Sequence, residues 1–211
     1  MKVKIGTIYF KKLKNKKVTI TDTRISYKHD DSKIVMDVVS KELMEFYSNI
    51  VTQNGGKVLD VGFGLGYSAD AIYNKLGSYY CIESNPQIYL KALEWAEGKE
   101  NVHIFNGDWM DVMAEMPDVG LRFDGIFMDT YDDPNYHKFE RHAKFVANEG
   151  CVLSIFSYFA CRDTKDLHSS YFEINSPHRE NYPKLIERGH TCNWSYFIDG
   201  EFQKKKVNAS I

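Results

Sequence analysis

The stretch Val58-Leu59-Asp60-Val61-Gly62-Phe63-Gly64-Leu65-Gly66 constrains this chain more than any other part of it. A short apolar run of buried-strand character meets glycines spaced G-x-G-x-G, and a helical pattern from Tyr67 to Leu76 follows at once. Glycines at such a junction let the chain turn sharply and let a ligand approach the backbone with no β-carbon in its way. The helix behind them offers its N-terminal amides to a carboxylate. A pyrophosphate-binding loop more often reads G-x-G-x-x-G. The shorter spacing here, with Asp60 just before it, points to a different ligand.

Strands and helices alternate after this unit. Tyr79 to Ile82, Val102 to Phe105, Gly125 to Met128 and Cys151 to Phe156 read as strands. Between them lie helical patterns from Gln87 to Ala96, Met110 to Met116 and Asn135 to Ala147. Such alternation implies an α/β fold, a mostly parallel sheet covered by helices on both faces. A short helix is expected from Pro183 to Arg188. Beyond it, Thr191 to Ile198 and Glu201 to Val207 flank Asp199-Gly200, a dipeptide that favours a tight antiparallel hairpin. A parallel sheet finished by an antiparallel hairpin is the Rossmann-like arrangement of class I methyltransferases rather than of dinucleotide dehydrogenases. Upstream, Val3 to Phe10 and Val18 to Thr23 read as a hairpin turning through the basic run Lys11 to Lys17. Ile34 to Ile50 carries apolar residues at close to helical period and ends at Gly55-Gly56. The expected organisation is an N-terminal β-hairpin arm over residues 1–32 and one class I methyltransferase domain over residues 33–211.

Composition narrows the partners. At 211 residues the chain is long enough to bury one sizeable core. A net charge of -2 gives no global pull toward nucleic acid or an anionic membrane, and the lysine runs at 11–17 and 204–206 read as solvated turns. No apolar run approaches the roughly 18 residues of a membrane span. The opening Met1-Lys2-Val3-Lys4 lacks a signal-peptide pattern. The four cysteines form no C-x-x-C pair, and the seven histidines show no metal-ligand spacing, so no metal is expected. That cysteine usage suits a reducing, cytoplasmic setting, and a homo-oligomer stays open.

Two further strand ends carry chemistry. Glu83 closes the second strand about 20 residues after the loop, where a carboxylate can accept hydrogen bonds from both ribose hydroxyls. Ser84 and Asn85 follow it. Asp108-Trp109 follows the third strand, where an acid can accept from an adenine amino group while the indole covers the ring. Three such features in this order point to S-adenosyl-L-methionine, with Asp60, Gly62, Phe63, Gly64, Gly66, Glu83, Ser84, Asn85, Asp108, Trp109 and Asp129 as its expected contacts. Asp129 ends the fourth strand, beside the switch point where open sheets bind ligands. Around it gather Tyr131, Asp132, Asp133, Tyr136 and His137. Asp129 and His137 are the candidate catalytic residues, and Tyr131, Asp132 and Tyr136 the candidate substrate contacts. The Asn/Asp-Pro-Pro-aromatic motif of enzymes that methylate nucleic-acid amino groups is missing, which argues against a base as acceptor.

The stretch Val58 to Phe63, Glu83-Ser84-Asn85, Trp95-Ala96, Gly107, Trp109, Phe123-Asp124-Gly125-Ile126 and Asp129-Thr130-Tyr131 resembles guanidinoacetate N-methyltransferase and its protein-arginine-methylating relatives. The likeness covers roughly residues 33 to 158. It implies that Asp129 binds the guanidino group of the acceptor and that Glu83 and Trp109 hold the adenosine. Val35-Met36 matches a Val-Met pair whose methionine lies against the cofactor, and Tyr136-His137 falls near a Trp-His pair. One position departs: the family's second catalytic glutamate falls on Ser40, and Glu42 is two residues away, on a different helical face. A guanidinium stays protonated at neutral pH and has no free lone pair with which to attack a methyl group. With one carboxylate fewer to localise that charge, Asp129 needs help, for which Asp132, Asp133 and Glu42 are candidates. The expected function is S-adenosylmethionine-dependent N-methylation of a small molecule bearing a guanidino or amino group. An aminopropyltransferase-like enzyme using decarboxylated S-adenosylmethionine, and a non-catalytic cofactor-binding module, stay in competition.

Overall fold

The computed structural model describes residues 17–131, 133–156 and 192–203. Its first strands, β1 (Val18–Ile20), β2 (Arg24–Tyr27) and β3 (Asp30–Asp37), form a small antiparallel sheet in that order. The first described hairpin is a different one from that expected upstream. Val18–Ile20 pairs with Arg24–Tyr27, because the Thr21 hydroxyl accepts the Arg24 amide at 3.0 Å and closes a tight turn there. Val3 to Phe10 and the basic run up to Lys16 lie outside the described residues.

The helix expected from Ile34 also starts later, as α1 (Lys41–Val51). Ile34, Val35 and Met36 belong to β3, where Ile34 pairs with Ser26 and Met36 with Ile25. Those apolar residues suit either period, and pairing with β2 satisfies their backbone groups. The boundary expected between residues 32 and 33 thus falls inside β3.

The remaining elements follow in βα alternation: β4 (Val58–Val61), α2 (Tyr67–Leu76), β5 (Tyr79–Glu83), α3 (Pro86–Ala96), β6 (Val102–Asn106), α4 (Trp109–Glu115), β7 (Phe123–Met128), α5 (Phe139–Val146), β8 (Ala147–Phe156), β9 (Cys192–Ile198) and β10 (Glu201–Gln203). They build a seven-stranded sheet in the order β10-β9-β8-β7-β4-β5-β6. β4 to β8 run parallel, and β9 and β10 are antiparallel, turning at Asp199-Gly200. The Rossmann-like α/β expectation and the C-terminal hairpin both hold. The helix expected at Pro183 to Arg188 lies outside the described residues.

Strand residues alternate between two cores, as period-2 geometry requires. Val58, Tyr79, Cys81 and Phe127 face α1, α2 and α3, while Leu59, Tyr80, Ile126 and Met128 face α4 and α5. Val18, Ile25 and Tyr27 of the small sheet join the first core, so that sheet is packed onto the main one. β7 lies beside β4 although α2, β5, α3, β6 and α4 separate them in sequence. Chain connections leave β4 in opposite directions, and the crevice this opens at the carboxyl ends of the strands is the usual ligand seat.

Candidate functional site

A cleft of about 290 Å³ occupies that crevice, near the lower limit of roughly 300 Å³ for small-molecule sites. Gly62 and Gly64 line it, and both have positive φ. A β-carbon at Gly62 would sit 2.1 Å from the Asp129 carbonyl oxygen, so the loop can pass over β7 only as glycine. At Gly64 the obstacle would be the Met36 sulfur, 2.6 Å away. Met36 reaches the loop from β3, and its sulfur accepts the Leu65 amide at 3.2 Å.

Phe63, Gly66 and Asp60 shape the loop and are not among the residues lining the cleft. Phe63 is buried, its ring packed edge-on against Trp95, and Gly66 starts α2 in the left-handed region. Asp60 is fully buried and accepts from the Ser68 hydroxyl at 2.6 Å and the Tyr79 hydroxyl at 2.7 Å. Its other oxygen is buried with no hydrogen-bond partner among the described residues. Burial pushes its carboxyl up to about 7, against the two hydroxyl donors, and the nearby Asp129 and Glu83 add to the rise.

Glu83, at the end of β5, is 5% exposed and organises the loop. Its oxygens accept the Phe63 amide at 2.9 Å and the Asn85 amide at 2.7 Å. Burial raises its carboxyl above the ordinary range, and these backbone donors partly restore the charged form. Asn85 caps α3 by accepting the Gln87 amide at 2.9 Å, and Ser84 lines the cleft beside it. Asp108 caps α4 through the Met110 amide at 2.9 Å, and desolvation raises its carboxyl too. Trp109 lines the cleft, and its indole N–H donates to Asp133 at 2.6 Å. Asp133 also accepts the Asn135 amide at 2.8 Å and the Thr130 hydroxyl at 3.4 Å. Asp133 therefore builds the loop after β7 and is engaged there.

Asp129 differs from these acids. Its carboxylate lines the cleft and has no hydrogen-bond partner among the described residues. Desolvation alone lifts it to about 7. Tyr131 lines the cleft with its ring edge-on to Tyr27 of β2, 5.7 Å between centroids. Asp132 lies outside the described residues. Tyr136 packs against the core beside α4 and α5, and His137 is exposed on a single 3-10 turn. Neither lines the cleft. Among the described residues, no group of three or more His, Cys, Asp and Glu could hold a metal ion, and no helix is long and apolar enough to cross a membrane.

A family profile described as guanidinoacetate N-methyltransferase matches residues 10–194. The chain belongs to that family. Protein arginine N-methyltransferase 2 of Yarrowia lipolytica is 28% identical over 155 residues, covering 68% of this chain and 32% of that protein. Its namesake in Aspergillus oryzae is 27% identical over 119 residues, covering 52% and 29%. The chain thus spans about a third of the length of the curated relatives it matches. Among solved structures, the fold is shared with an O-methyltransferase from Bacillus cereus in complex with SAH, at TM-score 0.52, 17% identity and 72% and 78% coverage of the two chains. It is shared also with Aeropyrum pernix fibrillarin bearing S-adenosyl-L-methionine, at TM-score 0.51, 15% identity and 73% coverage of each chain.

Ser40 is the position on which the resemblance sets a second glutamate of the guanidinoacetate N-methyltransferase family. That serine precedes α1 and its side chain caps nothing. Neither Ser40 nor Glu42 lines the cleft. Tyr27 is one of several cleft residues that the sequence left unmarked, with Val18, Pro86 and Ile88. Its only local signal was strand alternation in Arg24–Tyr27, and its place depends on the small sheet folding back over the loop.

Proposed function

We propose that this chain is an S-adenosylmethionine-dependent N-methyltransferase acting on a small molecule that bears a guanidino or amino group. The observation that carries the reading is the unpartnered Asp129 carboxylate sharing one cleft with Glu83 and the glycine loop. The residues fit the cofactor. Glu83 lines the cleft at the end of β5, where a carboxylate suits ribose hydroxyls as an acceptor. Asp108 and Trp109 suit an adenine, Gly62 and Gly64 leave room at the backbone, and the start of α2 suits a carboxylate. Asp60 contributes from below the loop. Bound there, S-adenosylmethionine supplies a methyl group already activated by its sulfonium.

The protein's part is then chiefly to align an acceptor nitrogen and to manage its charge. Asp129 can hold that nitrogen through its hydrogen, stabilise the positive charge it gains, and take up a proton. A carboxyl near 7 is matched to such a role at neutral pH. Tyr131, half-exposed at the cleft, adds an aromatic ring of the kind that favours a cation by roughly 0.5–2 kcal/mol. The test is methyl transfer from S-adenosylmethionine to a panel of guanidines, amines, an arginine peptide, phenols and thiols, with calorimetry of S-adenosylhomocysteine alongside. Transfer to guanidines or amines supports the proposal. Transfer confined to phenols or thiols defeats the acceptor, and absence of S-adenosylhomocysteine binding defeats the whole reading.

A further inference from the structure

One wall of the cleft does not come from the main sheet. Val18, Tyr27, Val35 and Met36 line it, all from the three-stranded N-terminal sheet. Besides its core packing and the Met36 contact to the glycine loop, that wall is tied to the main domain by the side-chain amide of Gln87. The Val18 N–H donates to Gln87 Oε1 at 3.0 Å, and Gln87 Nε2 donates to the Val18 carbonyl at 3.2 Å. The Gln87 amide thus pairs with the backbone of β1 as a neighbouring strand would, across 69 residues of sequence. It stands in the first turn of α3, directly beyond the ribose-facing segment. Asn85 accepts the Gln87 amide, and the Asn85 amide is held by Glu83. Glu83, Asn85, Gln87 and Val18 therefore form one hydrogen-bonded chain from the floor of the cleft to its wall. Gln87 itself is exposed and makes no contribution to the core, which separates it from the packing that folds the domain.

We propose that Gln87 is a positioning residue that clamps β1 over the cofactor and sets how fast the cofactor leaves. The proposal rests on the cofactor assignment made above. Its test uses the full chain as wild type, Gln87→Ala and Gln87→Glu. Exchange of the Val18 amide is followed by NMR, S-adenosylhomocysteine dissociation by stopped flow, and methyl transfer by single turnover at saturating cofactor. Gln87→Ala removes both bonds, so the Val18 amide should lose protection and dissociation should quicken about tenfold, the scale of two neutral hydrogen bonds. The single-turnover rate should stay within about twofold, because Asp129 is untouched. Gln87→Glu still accepts the Val18 N–H but can no longer donate to the Val18 carbonyl at neutral pH. That amide should stay protected while dissociation still quickens. A merely structural role would instead move thermal stability and the single-turnover rate together. Wild-type protein that fails to bind S-adenosylhomocysteine overturns the cofactor reading, and this proposal with it. Normal wild-type binding with unchanged dissociation in both variants overturns the clamp alone.

Discussion

Replacing Asp129 by asparagine separates what this carboxylate costs the fold from what it does in the cleft. Its carboxyl rises from 3.8 to about 7 through desolvation, with no partner to offset it. Each unit corresponds to about 1.36 kcal/mol, so the charged form is disfavoured by at most about 4 kcal/mol. The side chain is reachable from the cleft, and solvent there screens the charge, which brings the expected figure to about 2 kcal/mol. Between 3.8 and about 7 the folded protein keeps a proton that the unfolded chain releases, so this group lowers stability as pH rises through that window. Asparagine carries no charge to desolvate. Asp129→Asn should therefore be more stable than wild type by about 2 kcal/mol at about pH 8.5, or about 4–8 °C in Tm for a domain of this size. The gain should shrink toward zero as pH falls to about 4. In the same variant the single-turnover rate should drop at least about 100-fold, the lower end for lost charge stabilisation or general-base help. The wild-type rate should climb with pH and level off above about 7, as the carboxylate form fills. Thermal melts across pH and single-turnover kinetics check both halves. A variant no more stable than wild type at high pH would refute the desolvation argument. One that methylates within a few-fold of wild type would reduce Asp129 to scaffolding.

Other outcomes follow from the same geometry. Glu83→Ala should weaken S-adenosylhomocysteine by about 1.5–3 kcal/mol in calorimetry, the scale of hydrogen bonds to a charged group; unchanged affinity in a folded variant sinks the assignment. Gly64→Val should abolish cofactor binding in a folded protein. The cause is displacement of Met36, whose sulfur would stand 2.6 Å from the new β-carbon, at a φ of +56° that side chains rarely adopt. Gly64→Ala combined with Met36→Ala should recover part of the binding by removing that clash; calorimetry of both variants decides. His137→Ala should leave the methyl-transfer rate within about twofold, since the ring is exposed and outside the cleft. A large loss would return His137 to the catalytic set.

Residue order alone settles the local features. Strand Val58–Val61, the glycine loop and helix Tyr67–Leu76 were legible because period and glycine spacing change within a few residues. Glu83 and Asp129 were legible for the same reason, as acids that end apolar runs of strand length. The Asp199-Gly200 turn needed only its dipeptide. Tertiary structure decided everything that depends on a distant partner. Ile34, Val35 and Met36 became a strand because β2 was there to pair with them, a choice their own pattern leaves open. Asp60 and Asp133 look, in sequence, like acids at a ligand site, yet Ser68 and Tyr79 claim one Asp60 oxygen and Trp109 and Asn135 engage both of Asp133. Tyr27 and Gln87 bear no mark of a site at all. They acquire one when the N-terminal sheet closes over the loop, since hydrogen bonds and ring contacts depend on proximity in space, which residue spacing does not encode for non-local pairs.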